Sequence, residues 1–447
     1  MSFAATQSSA SKRTHLSMCV AVFLVSLVIL GTFTAVWGPY QKFHRHDDPE
    51  DYMALAQSLA SGNGFKNPIG FWPDAPDYSR MPGWPAIIAV GIRLAPFAAP
   101  EAVSRFANAV CLSLAGAFFC ALCGLLGVGT ALSAMAGFAV SLSPSLVALS
   151  VDGMSEVSFV TIVAIGLTLV LADRRWLFPG ALILGTATLV RANFLLVSPL
   201  VLALALAIPS CRAALLSRVK LASALLACAL ATTPVFLWTL RNAHLTGRFP
   251  YPCSGEGQLL YGGNNEITAN NLEAWGYWVM PELVPGEKTK VALAQELGSD
   301  LALDAYYHRK ATEWIKHNLN ALPRLELGKF VRAFVPLPFV PHAVSYGVFF
   351  CRFLLDVFWI LLAPLWWKAI HRGYLLFFAA MATTQIITTA TYYGIYRFTH
   401  CYIEVLFIPC IAVGLEQWHA RRAKRPAIQH EEVGTTEMRA FQPASAD

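Results

Sequence analysis

Between Met18 and Trp37 the chain reads MCVAVFLVSLVILGTFTAVW, an apolar run without a charged residue. A run of about 20 apolar residues is long enough to cross a bilayer as a helix. Lys12 and Arg13 precede it, as basic residues precede the apolar part of a secretory signal. The run has the length of a full span, however, which favours an uncleaved first helix. The sequence therefore predicts a membrane protein whose first span is 18–37.

The composition of the whole chain agrees with this prediction. Of 447 residues, 56% are hydrophobic and only 13% are charged, and the mean hydropathy is +0.52. Soluble domains carry about 25% charged residues, so this chain has too few to cover the surface of one. The composition excludes a disordered protein, a coiled coil and a nucleic-acid-binding protein. The net charge of +6 is not a partner signal, because basic residues in membrane proteins mark cytoplasmic loops.

Ten stretches are apolar enough to be spans: 18–37, 102–127, 129–150, 156–172, 177–191, 193–209, 219–240, 344–366, 373–391 and 402–417. The short connectors between them and the start of the C-terminal tail are basic, which favours the cytoplasm. All of these basic segments fall inside if the apolar stretch 83–99 lies in the outer interface instead of crossing. We therefore predict an all-α polytopic fold of about ten transmembrane helices, with both termini inside.

This topology divides the chain into five parts. They are a cytoplasmic N-terminus (1–17), an N-terminal transmembrane catalytic module (18–240) with a first outer loop (38–81) and an interfacial helix (82–99), a long outer loop with helices such as 291–318 (241–343), C-terminal transmembrane helices (344–417) and a disordered cytoplasmic tail (418–447). A simple anchor does not need such long outer loops, so we expect the activity on the outer face.

The first outer loop begins with a dense charge cluster, HRHDDPEDY, at 44–52. The pattern predicts a helix from Pro49 to Gly62 with Asp48 as its N-cap. Carboxylates at the end of a span can also act as a general base or hold a metal ion. His46, Asp47 and Asp48 are thus candidate ligands of a divalent metal, although no second ligand group at a typical spacing accompanies them.

Other ionisable and sulfur-containing residues lie inside the apolar stretches. Cys120 and Cys123 form a CxxC in the apolar run 111–126, where packing is expected rather than a redox or zinc site. Arg352 and Asp356 are spaced to neutralise one another on a helix. Glu404, one turn into the last span, is either a functional acid or a partner of the nearby Arg397.

Several motifs resemble a known family. The patterns Asp48-x-x-Asp51-Tyr52, AQSLAxG at 56–62 and RxPGWP at 80–85 resemble the polyprenyl-phosphate-sugar-dependent glycosyltransferases of the GT-C type. That family includes the protein O-mannosyltransferases and the aminoarabinose transferase of lipid A. Weaker similarities follow in the family's order at 152–156, 185–191, 241–247, 261–265 and 396–398, so that the resemblance extends over about 1–417.

The resemblance implies roles for individual residues. In the family, an Asp four residues before a Tyr, just after the first span, is the catalytic carboxylate, and Asp48 holds that position here. Many members have a second acid directly after it, whereas here Pro49 follows and Asp47 precedes, so Asp47 is a second candidate. Arginines at the outer surface suit the donor phosphate, and the candidates are Arg80, Arg191, Arg241 and Arg397. The candidate substrate-binding residues are Tyr52, Glu156, Tyr261, Asn264 and Glu404.

We therefore expect an integral membrane glycosyltransferase that moves a hexose or pentose from a polyprenyl-phosphate donor to a glycolipid, polysaccharide or protein. Asp48 would be the general base of an inverting transfer. The expected partners are this donor, the acceptor and membrane lipids. The expected site is the periplasmic face of a bacterial inner membrane, with the endoplasmic reticulum as the eukaryotic alternative. Other hypotheses are a polytopic transporter, against which the lack of an internal repeat argues, and a non-catalytic subunit of envelope assembly.

Overall fold

The computed structural model describes residues 9–38, 48–208, 221–247, 253–335 and 343–423. Within these ranges the chain is helical, and no strand forms beyond an isolated bridge between Lys66 and Pro76. The helices, numbered in chain order, are α1 (Ser9–Trp37), α2 (Asp48–Ala60), α3 (Gly83–Leu94), α4 (Pro100–Leu125), α5 (Thr130–Ser141), α6 (Pro144–Val151), α7 (Glu156–Ala172), α8 (Leu177–Thr186), α9 (Val197–Ala207), α10 (Leu221–Thr246), α11 (Glu256–Gly263), α12 (Glu266–Asn270), α13 (Lys290–Leu297), α14 (Asp300–His317), α15 (Leu322–Phe334), α16 (Ala343–Leu361), α17 (Ala363–Ala369), α18 (Arg372–Thr391), α19 (Tyr396–Tyr402) and α20 (Phe407–Ala423). The predicted all-α fold is confirmed.

Five helical segments of the described chain are long and apolar enough to cross a membrane. They are Arg13–Trp37, Pro100–Leu125, Leu221–Thr246, Arg372–Thr391 and Tyr396–Ala423. Two bent pairs, α5 with α6 (43°) and α16 with α17 (66°), pass the same test together, which gives up to seven spans. The protein is thus a polytopic membrane protein, and the predicted number of ten is not reached by this measure.

The remaining three predicted spans, 156–172, 177–191 and 193–209, form shorter apolar helices. The second of them stops being α-helical at Thr186 and passes through a 3-10 turn, Ala187–Leu189, into extended backbone at Arg191. The chain then resumes as helical turns from Ala192. A continuous span is therefore replaced by a break, and this break places Arg191 beside the start of α7.

Helix α4 is the central element of the bundle, because α1, α5 and α7 all pack on it. The α4–α5 contact is close: a Cβ at Gly116 would lie 2.8 Å from the carbonyl oxygen of Gly137. Side chains of α4 also fix the turn that precedes α7. Arg105 donates from Nε to the carbonyl of Val151 (2.9 Å), and Asn108 donates to the carbonyl of Met154 (3.0 Å).

The first outer loop packs against the same turn, the one that precedes α7. Helix α2 ends before Gly62, which has a positive φ of 83°, as the pattern predicted. It begins at Asp48 rather than Pro49, so Asp48 is its first helical residue and not the predicted N-cap. Its apolar face, including Tyr52 and Ala56, packs against Trp84 and other residues of α3. The indole of Trp84 donates to the carbonyl of Gly153 (2.9 Å). The position of α3 in the membrane interface stays a prediction.

The second outer segment has a small core of its own, formed by α11, α13 and α14 around Tyr261, Leu293 and Tyr307. The predicted helix 291–318 is two helices, because Gly298 adopts a left-handed conformation (φ 70°) that ends α13. Residues 1–8 and 424–447, which include most of the predicted tail, lie outside the described ranges, as do His46 and Asp47.

Candidate active site

Asp48, the first residue of α2, lies between two arginines that are far from it in sequence. Its Oδ1 is 2.8 Å from Nη1 of Arg80, and its Oδ2 is 3.4 Å from Nη2 of Arg397. Arg80 also donates to Asp51, one turn later on α2, from Nη2 (2.7 Å) and Nε (3.2 Å). The loop that follows α2 and the start of α19 are thereby joined through one carboxylate.

A second carboxylate, Glu156 at the start of α7, completes the group. Arg191 pairs with Glu156 through Nη2, and Nε of Arg397 lies 3.4 Å from Oε1 of the same carboxylate. We call Arg80, Arg191, Arg397, Asp48, Asp51 and Glu156 the arginine–carboxylate cluster. Arg397 is its central member, because it contacts both Asp48 and Glu156.

The two carboxylates that Arg397 joins differ in accessibility. The Glu156 side chain is 1% exposed, whereas those of Asp48, Arg80 and Arg397 are 29%, 27% and 23% exposed. Asp48 can therefore meet a substrate, while Glu156 can act only on its neighbours. The geometry gives Glu156 the role of holding Arg191 and Arg397 in place.

The electrostatic field of the cluster keeps Asp48 ionised. Burial by itself would raise the pKa of this carboxyl, but the positive charges of Arg80, Arg397 and Arg191 outweigh it and lower the pKa to about 2. Tyr52, one turn away, is affected in the opposite direction, because burial and the negative charge of Asp48 raise the pKa of its hydroxyl. Tyr52 thus remains a neutral hydrogen-bonding group, 3.3 Å from the Ser155 hydroxyl.

Two guanidinium groups of the cluster have donors to spare. Within the described part of the chain, Nε of Arg191 is buried and has no hydrogen-bond acceptor, and the buried Nε of Arg397 has only the ionic contact with Glu156 at 3.4 Å, without a hydrogen bond. Both guanidinium groups also lie over the ring of Phe398, at 4.6 and 5.0 Å from its centroid. A stacked and ion-paired guanidinium with a free N–H is prepared to receive an anion such as a phosphate.

Close backbone packing brings Arg80 and Arg191 to the same place. Gly83 begins α3 three residues after Arg80, and a Cβ there would lie 2.7 Å from the carbonyl oxygen of Leu189, two residues before Arg191. The Pro82-Gly83 pair of the RxPGWP motif thus has a structural role. Only a residue without a side chain lets the loop after α2 approach the break after α8.

Arg241 is the predicted phosphate ligand that this geometry leaves apart. Its guanidinium lies 4.6 Å from the ring of Trp238, and it donates to the carbonyl of Asp77 (3.2 Å) and to Asn242 (2.7 Å). The Asp77 side chain in turn accepts from the backbone N–H of Arg80 (3.1 Å). Arg241 therefore contacts the loop that carries Arg80, not the carboxylates of the cluster.

The predicted substrate-binding residues of the second outer segment make structural contacts. The Tyr261 hydroxyl donates to Glu287 (3.0 Å) inside the small core of that segment. Asn264 donates to the carbonyl of Thr391 (3.0 Å) and accepts from Lys329 (2.8 Å), which ties α11 to α15 and to the end of α18. Their part in substrate binding stays a prediction.

Glu404 has a different partner from the expected one. It accepts from Nε of Arg352 (2.8 and 3.0 Å) and lies 2.9 Å from Nδ1 of His400, with Arg352 and Glu404 both almost fully buried. Arg352 therefore pairs with Glu404 rather than with Asp356, and Glu404 pairs with Arg352 rather than with Arg397. Because two buried charges satisfy one another here, the arrangement has a structural explanation.

Sequence reasoning gave a role to five of the six residues of the cluster. Asp51 was only part of a quoted motif, and neither Asp51 nor Phe398 was given a role. Asp51 lies one helical turn after Asp48, and this spacing could have indicated that both carboxylates share one face of the helix. No signal in the sequence indicated that Phe398 would stack on two arginines. His46 and Asp47, the other candidate metal ligands and the second candidate base, lie outside the described residues.

Comparisons with known proteins add little to this description. No family model and no curated protein sequence matches the chain. Solved structures that match are those of ArnT from Cupriavidus metallidurans. Its complex with undecaprenyl phosphate gives 12% identity and a TM-score of 0.39 over 93% of this chain and 79% of that chain, and its apo state gives 13% and 0.38 over 92% and 78%.

At these identities and TM-scores the matches carry no argument about the activity of this chain. That argument rests on the cluster itself.

Proposed function

We propose that the protein is a membrane glycosyltransferase that moves a sugar from a polyprenyl-phosphate donor to an acceptor at the outer, periplasmic face of a bacterial inner membrane. The observation that carries the proposal is the convergence of Arg80 and Arg397 on the partly exposed carboxylate of Asp48, with Arg191 held beside Arg397 by Glu156. Sugar transfer from a lipid phosphate needs both halves of this arrangement, a cationic site for the leaving group and a base for the acceptor.

The arginines supply the first half. Nε of Arg191 makes no hydrogen bond in the described chain, Nε of Arg397 has only a 3.4 Å ionic contact with Glu156, and Arg80 shares Asp48 with Arg397. A guanidinium group binds phosphate oxygens with two parallel hydrogen bonds and stays charged at any physiological pH. Negative charge builds up on the phosphate as the bond to the sugar breaks, so donors already fixed around it stabilise the transition state.

Asp48 supplies the second half. A carboxylate with a pKa of about 2 is fully ionised at neutral pH but is a weak base. The donor phosphate changes this, because its negative charge offsets the arginines that lower the pKa of Asp48. The acceptor O–H or N–H then gives its proton to Asp48 while its heteroatom bonds to the anomeric carbon and the bond to the phosphate oxygen breaks. Direct displacement of this kind inverts the anomeric centre.

The test compares cells that lack the protein with cells that carry it, by mass spectrometry of their lipids and glycans. We expect a sugar-modified species that disappears without the protein and returns with the wild-type chain but not with Asp48→Asn at an equal membrane level. Asp74→Asn is the matched control, because Asp74 is an exposed acid of the same loop. Asp47→Asn tests the second candidate base.

Restoration of the modified species by both Asp48→Asn and Asp47→Asn would overturn the assignment of catalysis to this loop. An unchanged set of lipids and glycans, together with sugar uptake into sealed vesicles that contain the protein, would favour the transporter hypothesis instead.

A further inference from the structure

A second group of chemically reactive side chains lies on α1 and α4, away from the arginine–carboxylate cluster. Among the described residues, His15, Cys19 and Cys120 form the one group of His, Cys, Asp or Glu side chains whose ligand atoms all lie within 4.8 Å of one another. The Cys120 side chain is buried, and His15 and Cys19 are half-buried. The group is close to the start of α1 and to the end of α4.

The helices explain why these three residues meet. His15 and Cys19 are four residues apart on α1 and so lie on the same face, one turn above the other. That face packs against α4. Val22 of α1 and Cys120 of α4 belong to one shared apolar cluster. The partner of Cys120 is therefore Cys19, 101 residues away, rather than Cys123 of the CxxC pattern.

The distance between the two sulfur atoms is informative. Sγ of Cys19 and Sγ of Cys120 are 3.7 Å apart. A disulfide requires about 2.05 Å. Two thiolates bound to one tetrahedral zinc ion, each at about 2.3 Å from it, are separated by roughly 3.8 Å. The spacing of the two sulfurs thus fits a shared metal ion better than a covalent bond.

The backbone also makes room for the imidazole. His15 lies against Gly124 of α4, and a Cβ at that position would collide with Nε2 of the ring. Nε2 is also 3.2 Å from the carbonyl oxygen of Cys120, so the ring is directed at the same turn of α4 as the thiols. One imidazole and two thiols are a ligand set that zinc prefers.

We propose that His15, Cys19 and Cys120 bind a zinc ion that fastens α1 to α4. Three protein ligands leave one position of a tetrahedral ion open, and water fills it. The ion stabilises the packing of the first helix against the central helix. It takes no part in the chemistry of the arginine–carboxylate cluster, because some 22 residues of α1, or about 33 Å of helix, separate His15 from the first outer loop.

The first experiment measures zinc in the full chain, purified in detergent, stripped with a chelator and then incubated with Zn²⁺. We expect about one zinc ion per chain in the wild type, as in other sites with this ligand set. Cys19→Ser, Cys120→Ser and His15→Ala should each weaken binding at least ~10-fold, as the loss of metal-site partners does elsewhere. Cys123→Ser is the matched control, because Cys123 is a buried cysteine of the same helix outside the group.

Gly124→Ala provides a variant that keeps all three ligands. Alanine favours a helix more than glycine does, so the fold of α4 should survive. The added Cβ displaces His15, however, and zinc binding should weaken with both thiols intact. Loading the wild type with Co²⁺ in place of zinc gives an independent readout, since the thiolate-to-cobalt absorption band should appear and should be lost in Cys19→Ser and Cys120→Ser.

Three results would overturn the proposal: a wild-type chain that does not bind Zn²⁺ stoichiometrically, a Cys120→Ser chain that binds it as well as the wild type, or purified protein in which Cys19 and Cys120 form a disulfide. Size-exclusion elution and circular dichroism check that each variant is folded. None of these measurements uses transferase activity, so their outcome is independent of the proposed function.

Discussion

Arg397→Gln removes the charge that joins Asp48 to Glu156. Arg397 lies 3.4 Å from each carboxylate, through Nη2 to Asp48 and through Nε to Glu156, and its side chain is 23% exposed. If its guanidinium binds the donor phosphate, the variant loses a charge-assisted hydrogen bond. Such a bond contributes about 1.5–3 kcal/mol, so kcat/KM for the donor should fall roughly 10- to 150-fold.

The same substitution acts on Asp48, and the size of that effect can be bounded. The pKa of Asp48 falls from 3.8 to about 2, a net shift that corresponds to about 2.4 kcal/mol at ~1.36 kcal/mol for each pH unit. The arginines contribute more than this net value, because burial acts in the opposite direction. Three arginines share this effect, so the loss of one should raise the pKa by roughly one. Asp48 then remains ionised at pH 7, and the rate should stay independent of pH between about 6 and 8.

The assay is steady-state sugar transfer by the purified full chain in detergent, with the lipid-linked donor varied at several pH values. Arg93→Gln is the control, because Arg93 is an exposed arginine of α3 that donates to the carbonyls of Ala60 and Leu59. A kcat/KM for Arg397→Gln within about threefold of the wild type would refute the phosphate-binding role. A new acidic limb in the pH profile above pH 6 would refute the electrostatic reasoning.

Three further predictions concern stability and geometry. Burial, and then the carboxylate of Asp304, raise the pKa of Glu256 from 4.5 to about 7, so the folded state binds the extra proton and stability should fall as pH rises through that window. Glu256→Gln should therefore lose less stability than the wild type as pH rises from about 5 to 8 and be more stable at pH 8 by up to about 3 kcal/mol, which an unchanged pH dependence would contradict. Gly83→Ala should insert normally in the membrane yet lose transfer activity, because its Cβ would meet neighbouring backbone at 2.7 Å, and full activity would show that this contact is not needed. Arg352→Gln should cost up to about 3–5 kcal/mol in denaturant unfolding, because it leaves the buried Glu404 with only His400 beside it, and addition of Glu404→Gln should recover part of the loss instead of adding to it.

The sequence predicted the helical fold well because long apolar runs have few alternatives in a bilayer. Runs such as 18–37 and 102–127 became single helices, whereas 177–191 broke at Thr186. Its composition alone did not indicate that break. Tertiary contacts explain the break, because the extended backbone at Arg191 lets this residue reach Glu156.

The candidate site was predictable in part, because sidedness alone brings distant residues to one surface. Asp48 and Arg397 are 349 residues apart, yet the predicted topology placed both at the outer end of the bundle. A shared side of the membrane does not predict which residues contact one another, however. Arg241 shares it but contacts Trp238, and Arg352 found Glu404 rather than its helical neighbour, because such pairings depend on how the helices rotate against one another.

The arginine–carboxylate cluster contains as many guanidinium groups as carboxylates within the described chain, so it is electrically neutral before the donor arrives. In the proposed reaction a phosphodiester with one negative charge becomes a phosphate monoester with nearly two at pH 7. The proton taken up by Asp48 cancels the charge that the phosphate gains. The total charge inside the site is then the same on both sides of the chemical step, and the lipid phosphate and the proton must leave together before the next turnover.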